Sequence, residues 1–460
     1  MEVTKMKKNI IISLLAGLLI LTSCEDFLDL APIDEIGSNG FYKNTEEVEA
    51  GVISIYDGLQ AVVMNEFALT EMRSDNTKTK NSEGDWAQFE DMNVSPTNAT
   101  VSEYWSLNYN VVFRANVVLQ NLDAVSDEAK RNQFEGEAKF ARALAHFNLV
   151  RAFGDVPIID KVIGPEDKDY FSRRPADDVY QFIIADLTDA ASKLPGKDEI
   201  AFGRATKGAA YALLAKVYLT VKDYGKANDA INEVLKEGYA LEANYNDVFY
   251  NEMNDEIIFA IQYIPDNTED SEIFSYNFTW KGRASGLNYP TDDLLNSLEA
   301  GDLRQSTLFY WEPLAGSSGR FECGKFRASS SNEELGGNDW IVLRLADVYL
   351  MQAEAIMGAA TATSDATAIE AVNKVRRRAG LPEIVGSLTK DQLLKERRIE
   401  LAFENHRLYD LIRFGVADQV MEAFSNTTEA SFEYNSNKLL LPVPQREINL
   451  YDGLTQNPGY

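Results

Sequence analysis

A mostly α fold, built as a tetratricopeptide-like helical-repeat scaffold with an irregular, loop-rich ligand-binding insertion, is predicted by three features of the chain. Residues 206–239 form a 34-residue helix–turn–helix unit in which Ala215, Tyr218, Ala227 and Ile231 fall at the offsets where two tetratricopeptide helices touch. Residues 344–378 repeat the theme more loosely, as RLADVYLMQAEAIM, a Gly-Ala-Thr-rich turn and DATAIEAVNKVRRR. Residues 250–343 lose the helical period and interleave aromatic rings with Gly, Ser and Asn. A single repeat cannot bury its own apolar face, so several must stack. Long irregular insertions on a rigid scaffold are where function concentrates.

The elements follow in chain order. Lys5, Lys7 and Lys8 precede an apolar run from Ile10 to Leu21, and Leu21-Thr22-Ser23-Cys24 closes it. Charged, apolar and small residues in that order make a secretory signal. The place of Cys24 fits the lipoprotein type, in which the cysteine is lipidated and becomes the new N-terminus. A plain signal peptide and a membrane helix are the alternatives, and the run falls short of the roughly 20 residues that a span needs. Met6-Lys7-Lys8 is by itself a complete charged start. The reading is therefore a signal over 1–23, a lipidated spacer over 24–44, an N-terminal helical region over 45–249, a variable ligand-binding region over 250–343 and a C-terminal helical region over 344–460.

Within these regions the spacing of apolar residues predicts helices over 45–63, 104–122, 133–153 and 176–194. The third stops at Gly154-Asp155-Val156-Pro157 and the fourth at Pro195-Gly196. Segments 136–151 and 177–193 pair as a further repeat. Residues 64–103 are rich in Asn, Asp, Ser and Thr, carry Trp86, and show no helical period.

Composition narrows the function. The formal charge is −28, and the leader carries a small positive excess, so the remainder is more acidic still. Such a surface argues against nucleic acid and against anionic membranes as partners. Only two cysteines occur, so with Cys24 lipidated Cys323 has no partner in the chain. The two histidines, His146 and His406, form no H-E-x-x-H pattern, so no metal or cofactor is expected. Aromatic residues make up 11% of the chain, a surplus that suits ring faces with work outside the core.

Several motifs in order carry a family resemblance. They are Ser23-Cys24-Glu25-Asp26-Phe27-Leu28-Asp29, Arg114-Ala115-Asn116, Glu137 to Leu144, Gly154-Asp155-Val156-Pro157, Ala205 to Ala210, and Arg344 to Met351. Val375 to Leu381, Glu396-Arg397-Arg398, Arg407 to Gly415 and Gln456-Asn457-Pro458-Gly459-Tyr460 complete the set. Together they resemble the SusD/RagB family of outer-membrane nutrient-binding lipoproteins from Bacteroidetes, over nearly the whole chain beyond the leader. Asn405 departs from the pattern, standing where the family has Gly. The resemblance implies four tetratricopeptide units carrying a variable ligand-binding part. It also implies a lipid-anchored, surface-exposed place on the outer membrane and a SusC-like TonB-dependent transporter as partner. Similar proteins bind oligosaccharides, and some bind peptides or other nutrients.

For sugars, the C–H face of a pyranose stacks on a flat ring while polar side chains replace its water bonds. Trp86, Tyr276, Trp280 and Tyr289 are the expected stacking rings, with Arg73, Asp75, Asn76 and Arg283 as hydrogen-bonding partners; the simpler alternative has each ring packing under its own loop. Trp105 opens a helical run and reads as structural. Glu396, Glu400, Glu404 and Arg407, at spacings of four, four and three, are expected on one helix, where they share a face. A glycosidase acid/base pair is possible chemistry there, but the neighbouring Arg397, Arg398 and Arg413 would hold such carboxyls ionised, so an ion-paired structural ridge is expected. His146, in an Ala/Leu-rich helix, reads as a satisfied core histidine. Asp266, Glu269, Asp270 and Glu272 lack EF-hand spacing and read as a solvated loop, and Gly316-Ser317-Ser318-Gly319 as a flexible one. The expected function is capture of glycan at the cell surface for the transporter, without catalytic residues. A lid for a peptide or other nutrient is the alternative, and a surface glycoside hydrolase a remoter one.

Overall fold

A computed structural model describes residues 41–79, 84–314, 316, 318–328, 330–430 and 432–460. The leader, Cys24 and most of the spacer lie outside the described residues. Helices dominate. Among the described residues, eight of them pack in sequence, each against the next: α1 (Thr45–Val63), α2 (Ala99–Gln120), α3 (Glu128–Phe153), α4 (Ala176–Lys193), α5 (Lys207–Thr220), α6 (Tyr224–Val234), α7 (Leu345–Met357) and α8 (Ala366–Arg378). The chain of neighbours makes four helix pairs, the tetratricopeptide-like arrangement, and α3 with α4 forms the pair expected from 136–151 and 177–193.

Local chemistry starts these helices. The side chains of Asn44, Asp127, Thr206, Asp223 and Asp365 each accept a backbone N–H from the first turn of α1, α3, α5, α6 and α8. Helix α2 begins five residues before the expected start because Asn98 caps it through the Val101 N–H. At the end of α3, Gly154 takes φ +72°, which lets its N–H close on the Val150 carbonyl. The apolar faces merge into one core running from Val48 through Phe140, Ala212 and Ile231 into the insertion at Phe274 and Trp340. A second cluster sits around Leu350, Val372, Leu411 and Met421.

The insertion between α6 and α7 is held by short strands. Buried β2 (Ile257–Ile261) pairs antiparallel with β6 (Trp340–Arg344), joining the insertion's two ends. β1 (Thr77–Lys78) pairs with β3 (Tyr289–Pro290), tying the 64–103 segment to the insertion, and β4 (Phe309–Glu312) pairs with β5 (Arg320–Cys323).

A buried ionic network bolts this insertion to the C-terminal helices. Arg304 bonds Asp302 at 2.8 Å, Glu396 at 2.7 Å and Glu400 at 2.9 Å. Arg344 bonds Glu256 at 3.0 Å, Glu400 at 2.6 Å and Glu404 at 2.7 Å. Arg378 also bonds Glu256 and Glu400, and Lys325 bonds Glu404. Burial pushes the Glu400 carboxyl up, but Arg378, Arg344 and Arg304 outweigh it and hold it well below the usual carboxylate range. The expected single helix through Glu396, Glu400, Glu404 and Arg407 is corrected here. Helix α9 (Lys390–Glu400) ends at Glu400, Glu404 lies in the following turn, and Arg407 opens α10 (Arg407–Phe414). In that turn Asn405 has φ +64°, a conformation glycine adopts freely and asparagine tolerates. Its amide then makes bonds that a glycine could not, donating to Glu66 Oε2 and accepting from the Thr70 hydroxyl.

Candidate functional site

The aromatic residues of the insertion gather around one carboxylate, Glu322. The short helix Phe274–Asn277 ends in turns closed by Thr279 N–H on the Tyr276 carbonyl and Gly282 N–H on the Thr279 carbonyl. A Cβ on Gly282 would lie 2.4 Å from the Tyr276 oxygen, so glycine is required for this path. The path carries Trp280 to the surface, where its side chain is 43% exposed. The backbone stays fixed: Trp280 N–H donates to Glu322 Oε1 at 2.8 Å. The same oxygen accepts from Arg320 Nε and Nη2 at 3.2 and 3.0 Å. Burial pushes the Glu322 carboxyl up, opposed by Arg320 and the Trp280 N–H.

Arg320 places its guanidinium 5.2 Å from the centre of the Tyr289 ring, and Lys78 approaches the same ring at 5.8 Å. The Tyr289 hydroxyl donates to the Thr79 carbonyl at 2.6 Å, so this ring is oriented from both ends. Arg283, itself exposed, lies 5.8 Å from the Trp86 ring. Trp86, on the seven-residue helix Gly84–Glu90, stacks nearly parallel on Phe67 with centroids 6.0 Å apart. Trp86, Tyr276 and Tyr289 are half-buried, and Trp280 and Arg283 reach solvent. Together these rings and the guanidinium groups of Arg283 and Arg320 form a partly exposed platform.

Three further residues come from the β4–β5 hairpin beside the platform, with Tyr310 and Trp311 on opposite faces of β4. Tyr310 and Trp311 on β4 are 38% and 46% exposed, and Arg320 sits opposite Glu312 on the partner strand. Arg327 covers the Tyr310 ring at 3.3 Å, and Trp311 meets Phe321 edge-on at 5.0 Å. The alternating runs FYWE and RFEC on either side of a Gly-Ser-rich stretch are the hairpin signal that could have found them. Gly316 and Gly319, both at positive φ, lie in the connection between these paired strands.

The structure corrects three of the expected ligand contacts. Arg73 is buried and donates to the carbonyls of Leu69, Lys438 and Leu439. Asp75 is buried under a two-pronged bond from Arg407, both contacts at 2.7 Å, which together with Arg398 overcomes the upward push of burial and holds its carboxyl well below the usual range. Asn76 is buried between Glu71 and Arg398. All three hold the platform's floor to the C-terminal segment and present nothing to a ligand. Glu272, expected in a solvated loop, is buried beneath the Ser275 N–H, and burial pushes its carboxyl up to about 7. His146 is the buried core histidine expected: it pairs with the Arg142 carbonyl, receives the Ile159 N–H, and burial lowers it to about 4. No group of acidic, His or Cys side chains among the described residues is arranged to hold a metal. A recess of about 380 Å³ lies away from the platform, between Trp105, Phe113 and Leu450, but its lining is mainly apolar and offers few partners for hydroxyls.

Two family models match the chain. One, described as the SusD family, covers residues 313–460, and the other, described as starch-binding associating with outer membrane, covers residues 26–219. A SusD-like protein of Bacteroides ovatus is 29% identical, over 92% of this chain and 85% of its own. SusD-like protein P2 of Formosa agariphila is 27% identical, over 98% of this chain and 99% of its own. A solved laminarin binding SusD-like protein superposes with a TM-score of 0.76 at 29% identity, covering 91% of this chain and all of that one.

Proposed function

From the premise that this chain belongs to the SusD/RagB family, we propose that it captures oligosaccharides at the cell surface for a SusC-like TonB-dependent transporter of the outer membrane. Cys24 is the proposed lipid anchor, holding the protein at that membrane. The observation that carries the reading is Trp280: its ring is more than a third exposed, although large rings normally withdraw from water, and Glu322 fixes the backbone beneath it. Rings stack on the C–H faces of sugars, while the exposed Arg283 offers N–H donors to hydroxyls and ring oxygens. A shallow surface of this kind gives modest affinity and quick release, which suits a protein that must hand its ligand on. The starch-binding description of one family model and the laminarin-binding structural neighbour support the ligand class.

A hydrolytic role is disfavoured by the carboxylates. Glu396, Glu400 and Glu404 are buried and committed to arginine or lysine, whereas a glycosidase needs one raised, accessible general acid beside a second carboxylate. Isothermal titration with laminarihexaose, maltohexaose and a mixed peptide pool tests the proposal. Saturable binding of a glycan, weakened about tenfold in Trp280→Ala, is expected. Binding of peptide alone, or release of new reducing ends from bound glycan, overturns it.

A further inference from the structure

A second recess lies on the scaffold side of the insertion. Its volume is about 250 Å³, and it is bordered by Ile53, Asp57 and Gln60 of α1, by Phe202 in the turn before α5, by Gln262 after β2 and by Asp270. Phe202 is 72% exposed, more than Trp280 on the platform or Tyr310 and Trp311 beside it.

The turn that displays this ring is locked on both sides. Gly203 has φ +83°, and a Cβ there would lie 1.9 Å from Gln262 Oε1, so the glutamine amide rests directly on the turn. Arg204 donates to Glu137 at 2.9 Å and to Glu49 at 2.7 Å. The Ala205 N–H donates to the Tyr56 hydroxyl at 2.9 Å, and that hydroxyl donates to Glu137 at 2.6 Å. Every neighbour of Phe202 is therefore anchored while its own ring stands in water. A merely apolar loop residue needs no such scaffold.

The polar groups around the ring have capacity to spare. Gln60 uses its Nε2 on the Gln262 carbonyl at 2.8 Å, which leaves its Oε1 without a partner among the described residues. The Gln262 side chain is exposed and its amide has no partner among the described residues. The Asp57 side chain is 63% exposed beside Arg114. An open ring flanked by amide and carboxylate groups is the chemistry of a sugar site rather than of an apolar protein contact, which would exclude unpaired amides from its centre. Ligand pockets usually run from about 300 to 1,000 Å³, so this recess takes the end of a saccharide chain rather than the whole of one.

We infer that the Phe202 recess is a second saccharide-binding site, separate from the platform, with Phe202 as its stacking ring and Gln60, Gln262 and Asp57 as its hydroxyl partners. The ligand class rests on the function proposed above. The two sites are bridged by a buried run of rings, Tyr263, Phe274, Phe278 and Phe67, whose successive centroids lie 5.9, 5.9 and 4.8 Å apart, and which ends on Trp86. The Tyr263 hydroxyl donates to the Gln60 carbonyl at 2.6 Å, so the run begins at the wall of the recess. Two separated sites on one rigid body raise the effective concentration of a long chain at the surface without new contacts.

Titration of the whole purified protein with laminarihexaose and maltohexaose, at millimolar concentration, tests this. Two saccharides per chain are expected, falling to one in Phe202→Ala and to one in Trp280→Ala. Phe202→Trp keeps the ring and adds a local reporter: its emission should shift on adding the saccharide, and should still shift when combined with Trp280→Ala. One saccharide per chain, lost in Trp280→Ala and kept in Phe202→Ala with a silent Phe202→Trp reporter, overturns this inference and leaves the proposed function standing. No saccharide binding at either site overturns both. Loss of co-purification with an outer-membrane barrel in Phe202→Ala, with both saccharides still bound, assigns the recess to a protein partner instead and overturns the inference.

Discussion

Arg344 and Arg320 lie on two strands of the same insertion, and their surroundings are opposite. Arg344 is buried and makes five hydrogen bonds to Glu256, Glu400 and Glu404. Arg320 meets one carboxylate, Glu322, and otherwise faces the ring of Tyr289. Where carboxylates surround the guanidinium, the region is a fixed joint between insertion and scaffold. Where one ring and one carboxylate meet it, its bonds stay within a single strand and fasten nothing to the scaffold. The carboxyls show the same contrast: Glu400, with three arginines, is held well below its ordinary range, while Glu272, buried without a cation, is pushed up to about 7.

The largest effect expected of any change to these regions comes from the joint. Arg344→Ala leaves Glu400 and Glu404 buried with fewer counter-charges and should cost about 3–5 kcal/mol of stability, read as a lowered denaturant midpoint. A variant as stable as the wild type would erase the contrast between joint and platform. Glu272 gives the next effect. Its folded-state value lies above its unfolded one, so folding carries no penalty below pH 4.5, a penalty that grows between about 4.5 and 7, and a constant one above. Glu272→Gln should therefore be more stable than wild type at pH 8, by at most roughly 3 kcal/mol, and indistinguishable from it near pH 4; equal stability of the two at pH 8 would show that the buried carboxyl has found a cation. On the platform, Trp280→Ala should weaken saccharide binding by about 1–1.5 kcal/mol, near tenfold, with the melting temperature unchanged. Trp311→Ala should do the same to a lesser degree, about threefold by titration, corresponding to roughly 0.6 kcal/mol. A fall in melting temperature in either tryptophan variant would move those rings to the structural side.

The long helices were legible because their signals are local. Caps such as Asn44 and Asp365, stops such as Gly154, and a 34-residue repeat act within a few residues of the backbone they shape. Of the exposed rings only Trp280 was picked out from composition; Tyr310 and Trp311 were passed over, and neighbours such as Phe274 and Trp340 in the same Gly- and Asn-rich stretch are buried. Arg73, Asp75 and Asn76 misled for the complementary reason. Their polar neighbourhood reads as solvent-facing, but the groups that bury them, Arg398, Arg407 and the Lys438 carbonyl, come more than 300 positions later. Glu404 misled in a similar way: the four-residue spacing continued past a helix that ends in the left-handed turn at Phe403 and Asn405. Asn405 itself was readable as a departure, and its positive φ gives the reason a glycine stands there in the family pattern.

The bonds from Asp75 and Asn76 to Arg407 and Arg398 also set an order of events during the protein's manufacture. Asp75 and Asn76 are synthesised more than 300 positions before the arginines that fasten them. A chain emerging in sequence order cannot complete the Trp86 side of this region until Arg398 and Arg407 have followed. A chain cut short before Arg398 would keep all of its platform rings and still lack the ground they stand on.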